Sequence, residues 1–95
     1  MKKKTALLDL RDCKTISDLH KRIKVAMNFP EHYGENLDAL WDCLCMDSDI
    51  EFVIVVGIKN IPKELKSTAD TIIEIFEQAK KETQNSNLPF GYEII

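Results

Sequence analysis

Apolar and polar positions recur with two different periods along this chain, and the changes of period mark its elements. Thr5 to Leu10, TALLDL, sets Ala6, Leu7 and Leu8 in a row, which predicts a short strand covered on both faces. Arg11 to Thr15 reads as a turn. Leu19, Ile23, Ala26 and Met27 then recur at helical spacing and predict a first helix to about Met27. Ser17 is its expected N-cap, Asp18 lies in the first turn, and Lys21, Arg22 and Lys24 lie on the wet side. Phe29-Pro30 ends it, because the residue before a proline is pushed out of the α region. In the stretch Tyr33 to Leu44, YGENLDALWDCL, the residues Leu37, Leu40, Trp41 and Leu44 fall at i, i+3, i+4 and i+7. That is one apolar stripe of a second helix. Asn36 suits its N-cap, and Gly34 gives the chain freedom to turn into the cap.

Cys45 to Ile50 is a polar connection. Phe52 to Val56, FVIVV, is uniformly apolar and mostly β-branched, which predicts a central strand of a parallel sheet covered on both faces, terminated by Gly57. Asn60-Ile61-Pro62 reads as a helix entry, with a short helix through Leu65. Ser67 or Thr68 can cap a longer helix to about Lys81. Ile72, Ile75, Phe76 and Ala79 form its apolar stripe, and Lys80 and Lys81 suit its C-terminal end. After a polar loop, Phe90 to Ile95 reads as a last strand. Strands separated by helices imply parallel pairing with right-handed crossovers. The expectation is a single α/β domain, a three-stranded parallel sheet packed with about four helices.

The chain has 95 residues, 44% hydrophobic and 31% charged, as in an ordinary globular domain. No apolar run approaches the ~20 residues that span a bilayer. The few apolar residues after MKKK are too short a run for a secretion signal, so a cytosolic protein with no membrane partner is expected. Three cysteines (Cys13, Cys43 and Cys45) make an odd number, which suits reduced thiols better than a disulfide framework. The C-x-C of Cys43 and Cys45 with His20 or His32 lacks the spacing of a structural zinc site.

Charge changes the picture. Between Val25 and Ile58 there is no Lys or Arg, and the seven acids there give −7, against +4 for the remainder. Such a face repels phosphates, which argues against nucleic acid, and attracts something cationic. A merely solvated acidic surface is the plain alternative. Asp38 and Asp42 sit one helical turn apart, where like charges cost roughly 0.2–0.5 kcal/mol on an isolated helix. They could form an acid/base pair, but no phosphate loop, nucleophile elbow or His-x-x-x-His accompanies them. Pairing Cys43 with a His for nucleophilic catalysis has no more specific support. Asp47, Asp49 and Glu51 alternate like calcium ligands but lack the glycine and final acid of an EF-hand loop. Trp41 shares the apolar stripe and should pack partly inward. Tyr33 lies outside the stripe and is the better candidate for an exposed aromatic anchor. The residues therefore describe an acidic helix with an aromatic rim, better suited to a basic protein surface than to turnover.

The runs ISDLH (Ile16–His20), FPEHYGENLDALWDCL (Phe29–Leu44) and FEQAK (Phe76–Lys80) resemble the barstar family, intracellular inhibitors of barnase-like secreted ribonucleases. The likeness is dense over Ile16 to Leu44 and thinner beyond. It implies a barstar-like fold, no cofactor, and a 1:1 complex in which the helix and its preceding loop plug the ribonuclease active site. Asp42 would stand in for the substrate phosphate, and Asp38 would take a second cation. Tyr33 would cover the catalytic His of the enzyme. Gly34, Asn36 and Leu37 would fill the rim, and Trp41 the edge. His32, Cys45, Met46 and Gln78 fall at contact positions but depart from the family pattern, where Tyr, Thr-Gly and Glu stand. Asp47 stands in place of a Trp. A module of this family binding a basic protein other than a nuclease is the alternative.

Overall fold

Three short parallel strands lie side by side in sequence order: β1 (Thr5–Asp9), β2 (Phe52–Val56) and β3 (Gly91–Ile94). The computed structural model describes residues 4–31, 33–46, 50–85 and 89–95, and of Cys45 and Met46 the backbone only. Thr5 pairs with Phe52 and Phe52 with Gly91; Leu8, Val55 and Ile94 align likewise. Strand side chains alternate between faces, so this register sets Ala6, Leu8, Val53 and Val55 on one face, all of them buried. The helices α1 (Ile16–Met27), α2 (Leu37–Met46) and α3 (Lys66–Thr83) supply the rest of that core.

The other face is open. Leu7 is 61% exposed, while Phe52, Ile54 and Val56 are only half-buried. The expectation that β1 and β2 are covered on both faces is therefore overturned. The helices share one side of the sheet, and a contiguous apolar run does not tell which strand faces are covered. The helix number is also corrected. The described residues hold three α-helices rather than about four. The short helix expected before Leu65 is a single 3-10 turn, Lys63–Leu65, that follows Pro62 and leads directly into α3. Neither Ser67 nor Thr68 caps α3, which has no side-chain cap.

Local chemistry fixes the ends of α1. Its N-cap is Thr15 rather than Ser17. The Thr15 hydroxyl accepts from the Asp18 N–H at 3.0 Å, and the Asp18 carboxylate accepts from the N–H groups of Lys14 and Thr15 at 3.0 and 3.2 Å. This reciprocal box satisfies orphan donors and holds the Asp18 carboxyl below its usual range, chiefly through the Lys14 N–H. Asn28 closes α1 in the left-handed region at φ 54°, and the Phe29 N–H reaches the Lys24 carbonyl at 3.0 Å. Gly57 ends β2 at φ 83°, where a Cβ would stand 2.5 Å from Arg11 Cγ.

In the layer of helices, α1 packs on β1 and α3 on β3, while α2 rests on α3. Leu40, Cys43 and Leu44 anchor α2 in the core. Its opposite side is left to solvent. Among the described residues no helix is long and apolar enough to cross a membrane.

Candidate partner-binding site

The loop before α2 is built by one asparagine. Asn36 Oδ1 accepts from the Ala39 N–H at 2.8 Å, and its Nδ2 donates to the Gly34 carbonyl at 3.2 Å. The side chain thus caps the helix and braces the loop at once. The backbone enters the left-handed region at Glu35, at φ 52°, and not at Gly34. Gly34 serves by close approach: a Cβ there would lie 3.2 Å from Asn36 Nδ2 and 3.4 Å from Ala39 Cβ. Ser17 Oγ donates to Glu35 Oε1 at 3.3 Å and ties the loop to α1.

Tyr33 corrects the sequence reading. It is 5% exposed, with its hydroxyl 2.7 Å from His20 Nδ1 and its ring 5.1 Å from that of Phe29, centre to centre. His20 is itself 2% exposed. Burial pushes the Tyr33 hydroxyl well up and the His20 imidazole down from their ordinary values. Tyr33 is therefore a post beneath the loop rather than an exposed aromatic. The chain reversal between α1 and α2 lays this loop over the buried side of α1. The periodicity of α2 alone carries no trace of that contact.

The exposed side of α2 faces a groove shared with α3, about 630 Å³ in volume. From α2 it is lined by Leu37, Asp38, Trp41 and Asp42. Trp41 and Leu37 are half-buried, as the stripe predicted for Trp41, and both carboxylates are exposed. From α3 come Thr71, Glu74, Ile75 and Gln78. Gln78 Nε2 donates to Glu82 Oε1 at 2.8 Å, along its own helix. Among the described residues Asp38, Asp42 and Glu74 make no ion pair, and α2 has no basic residue in its last turn. A second depression, at the N-terminal end of α2, brings Ile16 and Thr68 beside Asn36 and Asp38.

The structure thus unites Gly34, Asn36, Leu37, Asp38, Trp41, Asp42 and Gln78 on one side of the molecule. His32 and Asp47 lie outside the described residues, as do the side chains of Cys45 and Met46. Asp49 is outside them too, so only Glu51 of the suggested calcium ligands is described. Among the described residues no group of three or more His, Cys, Asp or Glu could hold a metal ion. Cys13 and Cys43 are buried. Sequence reasoning missed Thr71, Glu74 and Ile75. Glu74 lies one turn before Gln78, but only the packing of α2 on α3 reveals that it faces Asp38 and Asp42.

The model of the family described as "Barstar (barnase inhibitor)" matches residues 3–95. A protein of Bacillus subtilis (strain 168) named "Putative ribonuclease inhibitor YrdF" is 38% identical over 82 residues, covering 83% of this chain and 88% of the relative. The chain belongs to the barstar family.

Proposed function

We propose that this protein inhibits a barnase-like extracellular ribonuclease, 1:1, by seating α2 and its preceding loop in the enzyme's active site. One observation carries the reading. Asp38 and Asp42 stand exposed, one turn apart and without a cation among the described residues, on a helix whose other side is locked in the core. Family membership and the name of the Bacillus subtilis relative support the same reading.

An enzyme that cleaves RNA must present cations to a phosphodiester. A carboxylate on a rigid helix can take the place of the phosphate and accept charge-assisted hydrogen bonds, the strong class, without offering a bond to cleave. Asp42 takes the central position and Asp38 a second cation. Gly34, Asn36 and Leu37 form the rim, Trp41 the edge and Gln78 the flank on α3. His32, Cys45 and Met46 complete the proposed contact set. Tyr33 holds the loop from below. Occlusion needs no catalytic group and no cofactor. The acidic segment between Val25 and Ile58 repels RNA and draws a basic enzyme toward the same face.

The test is inhibition of a barnase-type ribonuclease by Asp42→Ala and Asp38→Ala, with the fold checked by circular dichroism. Asp42→Ala should lose the most inhibition, Asp38→Ala the next most, and both should stay folded. Unfolding of Asp42→Ala with residual inhibition unchanged would make that residue structural.

A further inference from the structure

Another face of α3 borders a hollow that the α2 site does not use. The α2 groove takes Thr71, Glu74, Ile75 and Gln78 from this helix. Lys66, Ala69, Asp70 and Ile73 repeat the same spacing one helical face away, roughly 140° round the axis. Ile58, in the 3-10 turn Ile58–Asn60 that follows β2, joins Ile61 and Ile94 of β3 to close a hollow of about 330 Å³ there. It opens at the carboxyl ends of parallel strands, the edge at which α/β sheets take ligands. Its floor is apolar, since Ile61 and Ala69 are both buried. Ile94 is an exposed wall. Val55, its register neighbour on the same sheet face, is buried, whereas Ile94 is 41% exposed. The rim carries Lys59, Lys66 and Asp70, and neither lysine makes an ion pair among the described residues.

We propose that this hollow binds a small monocarboxylate with an apolar tail, the carboxylate between Lys59 and Lys66 and the tail over Ile61, Ile73 and Ile94. Charge selects the head group. Two ammoniums against the Asp70 carboxylate leave one positive charge at the rim, which suits a monoanion, while Asp70 repels a phosphate dianion. The ammoniums donate charge-assisted hydrogen bonds to the bound carboxylate. The apolar lining selects the tail. An inorganic anion would leave Ile73 and Ile94 in water, whereas a hydrocarbon chain removes their surface from it, so affinity grows with chain length. Size bounds that length. At about 30 Å³ for each heavy atom, the share of a water in the liquid, the hollow holds roughly ten heavy atoms, those of an eight-carbon acid. Because the ligand uses a different face of α3, it leaves the acidic face of α2 free, and the proposal does not depend on the inhibitor reading.

The probe is sodium octanoate, kept below its micelle-forming concentration and titrated into isotope-labelled protein at pH 8. The amide resonances of Lys59, Ala69, Ile73 and Ile94 should shift together and saturate, while the indole N–H of Trp41, the only tryptophan of the chain, stays in place. Octanoate should bind about fourfold tighter than hexanoate, which corresponds to half-burying two methylenes. Octanol and octyl phosphate should both bind more weakly than octanoate. Lys66 is exposed, so Lys66→Gln keeps the core intact. It should weaken octanoate binding about threefold, within the range of an exposed charge pair, and leave octanol unchanged. Ile73→Glu, with its fold checked by circular dichroism, should lose saturable binding, and Asp42→Ala should titrate as wild type does. Equal binding of octanoate and octanol by wild type, unshifted resonances around the hollow, a Lys66→Gln titration matching wild type, or saturable binding by a folded Ile73→Glu overturns the proposal.

Discussion

Replacing Tyr33 with Phe removes a single hydroxyl, and the structure fixes what that should do. The hydroxyl lies 2.7 Å from His20 Nδ1, between residues 5% and 2% exposed. Phe keeps the ring against Phe29 but leaves a buried imidazole nitrogen without its partner. Leaving a buried polar group unsatisfied costs about 1–3 kcal/mol. At about 2 kcal/mol, a domain of this size should lose roughly 8–16 °C in Tm. Urea unfolding of wild type and Tyr33→Phe at pH 8 measures the loss. Because the ring sits beneath the loop, the folded variant should inhibit a barnase-type ribonuclease within about twofold of wild type, as expected for a residue outside the contact. Unchanged stability with lost inhibition would refute this reasoning and return Tyr33 to the contact surface.

The same pair predicts a pH dependence. Burial lowers the His20 pKa in the folded protein, so the unfolded chain takes up the proton first, near its ordinary value of about 6.5. The stability is fully present above that value and falls with pH below it, by up to about 1.4 kcal/mol per unit, until folded His20 titrates. His20→Gln should flatten the slope between pH 7 and 5. Asp9, held at about 2 chiefly by the Arg11 side chain, and Asp18, also lowered, lose their contributions only at lower pH. Asn36→Ala should cost about 1 kcal/mol, fray the first turn of α2 and weaken inhibition without unfolding the chain, as amide exchange at Ala39 and a urea titration will show. Gly57→Ala puts a Cβ 2.5 Å from Arg11 Cγ at φ 83°, and should cost about 2 kcal/mol or more in urea unfolding. Association with a barnase-type ribonuclease should be fast at low salt and slow as ionic strength rises, measured by stopped flow, with a shallower dependence for Asp42→Ala.

Sequence pattern carried what depends on neighbours along the chain. Asn36 could be read as a cap because its role needs only the Ala39 N–H three residues on. The FVIVV strand was legible because five apolar residues leave few other solutions, and its observed bounds are Phe52–Val56. What failed depends on packing between elements. Leu7 could not be placed on the open sheet face without knowing that the helices share one side. Tyr33 is anchored by a histidine 13 residues away, and Glu74 enters the site only because α2 rests on α3. Thr15 could have been found: Thr15 and Asp18 have the spacing of a capping box, with Asp at the third position.

The central claim is that Asp42, carried on α2, blocks a ribonuclease active site. The most direct measurement is titration of the purified protein into a barnase-type ribonuclease assay, wild type beside Asp42→Ala. Stoichiometric inhibition by wild type, lost in a folded Asp42→Ala, is the predicted result. Equal inhibition by both proteins, or none by folded wild type, would contradict it.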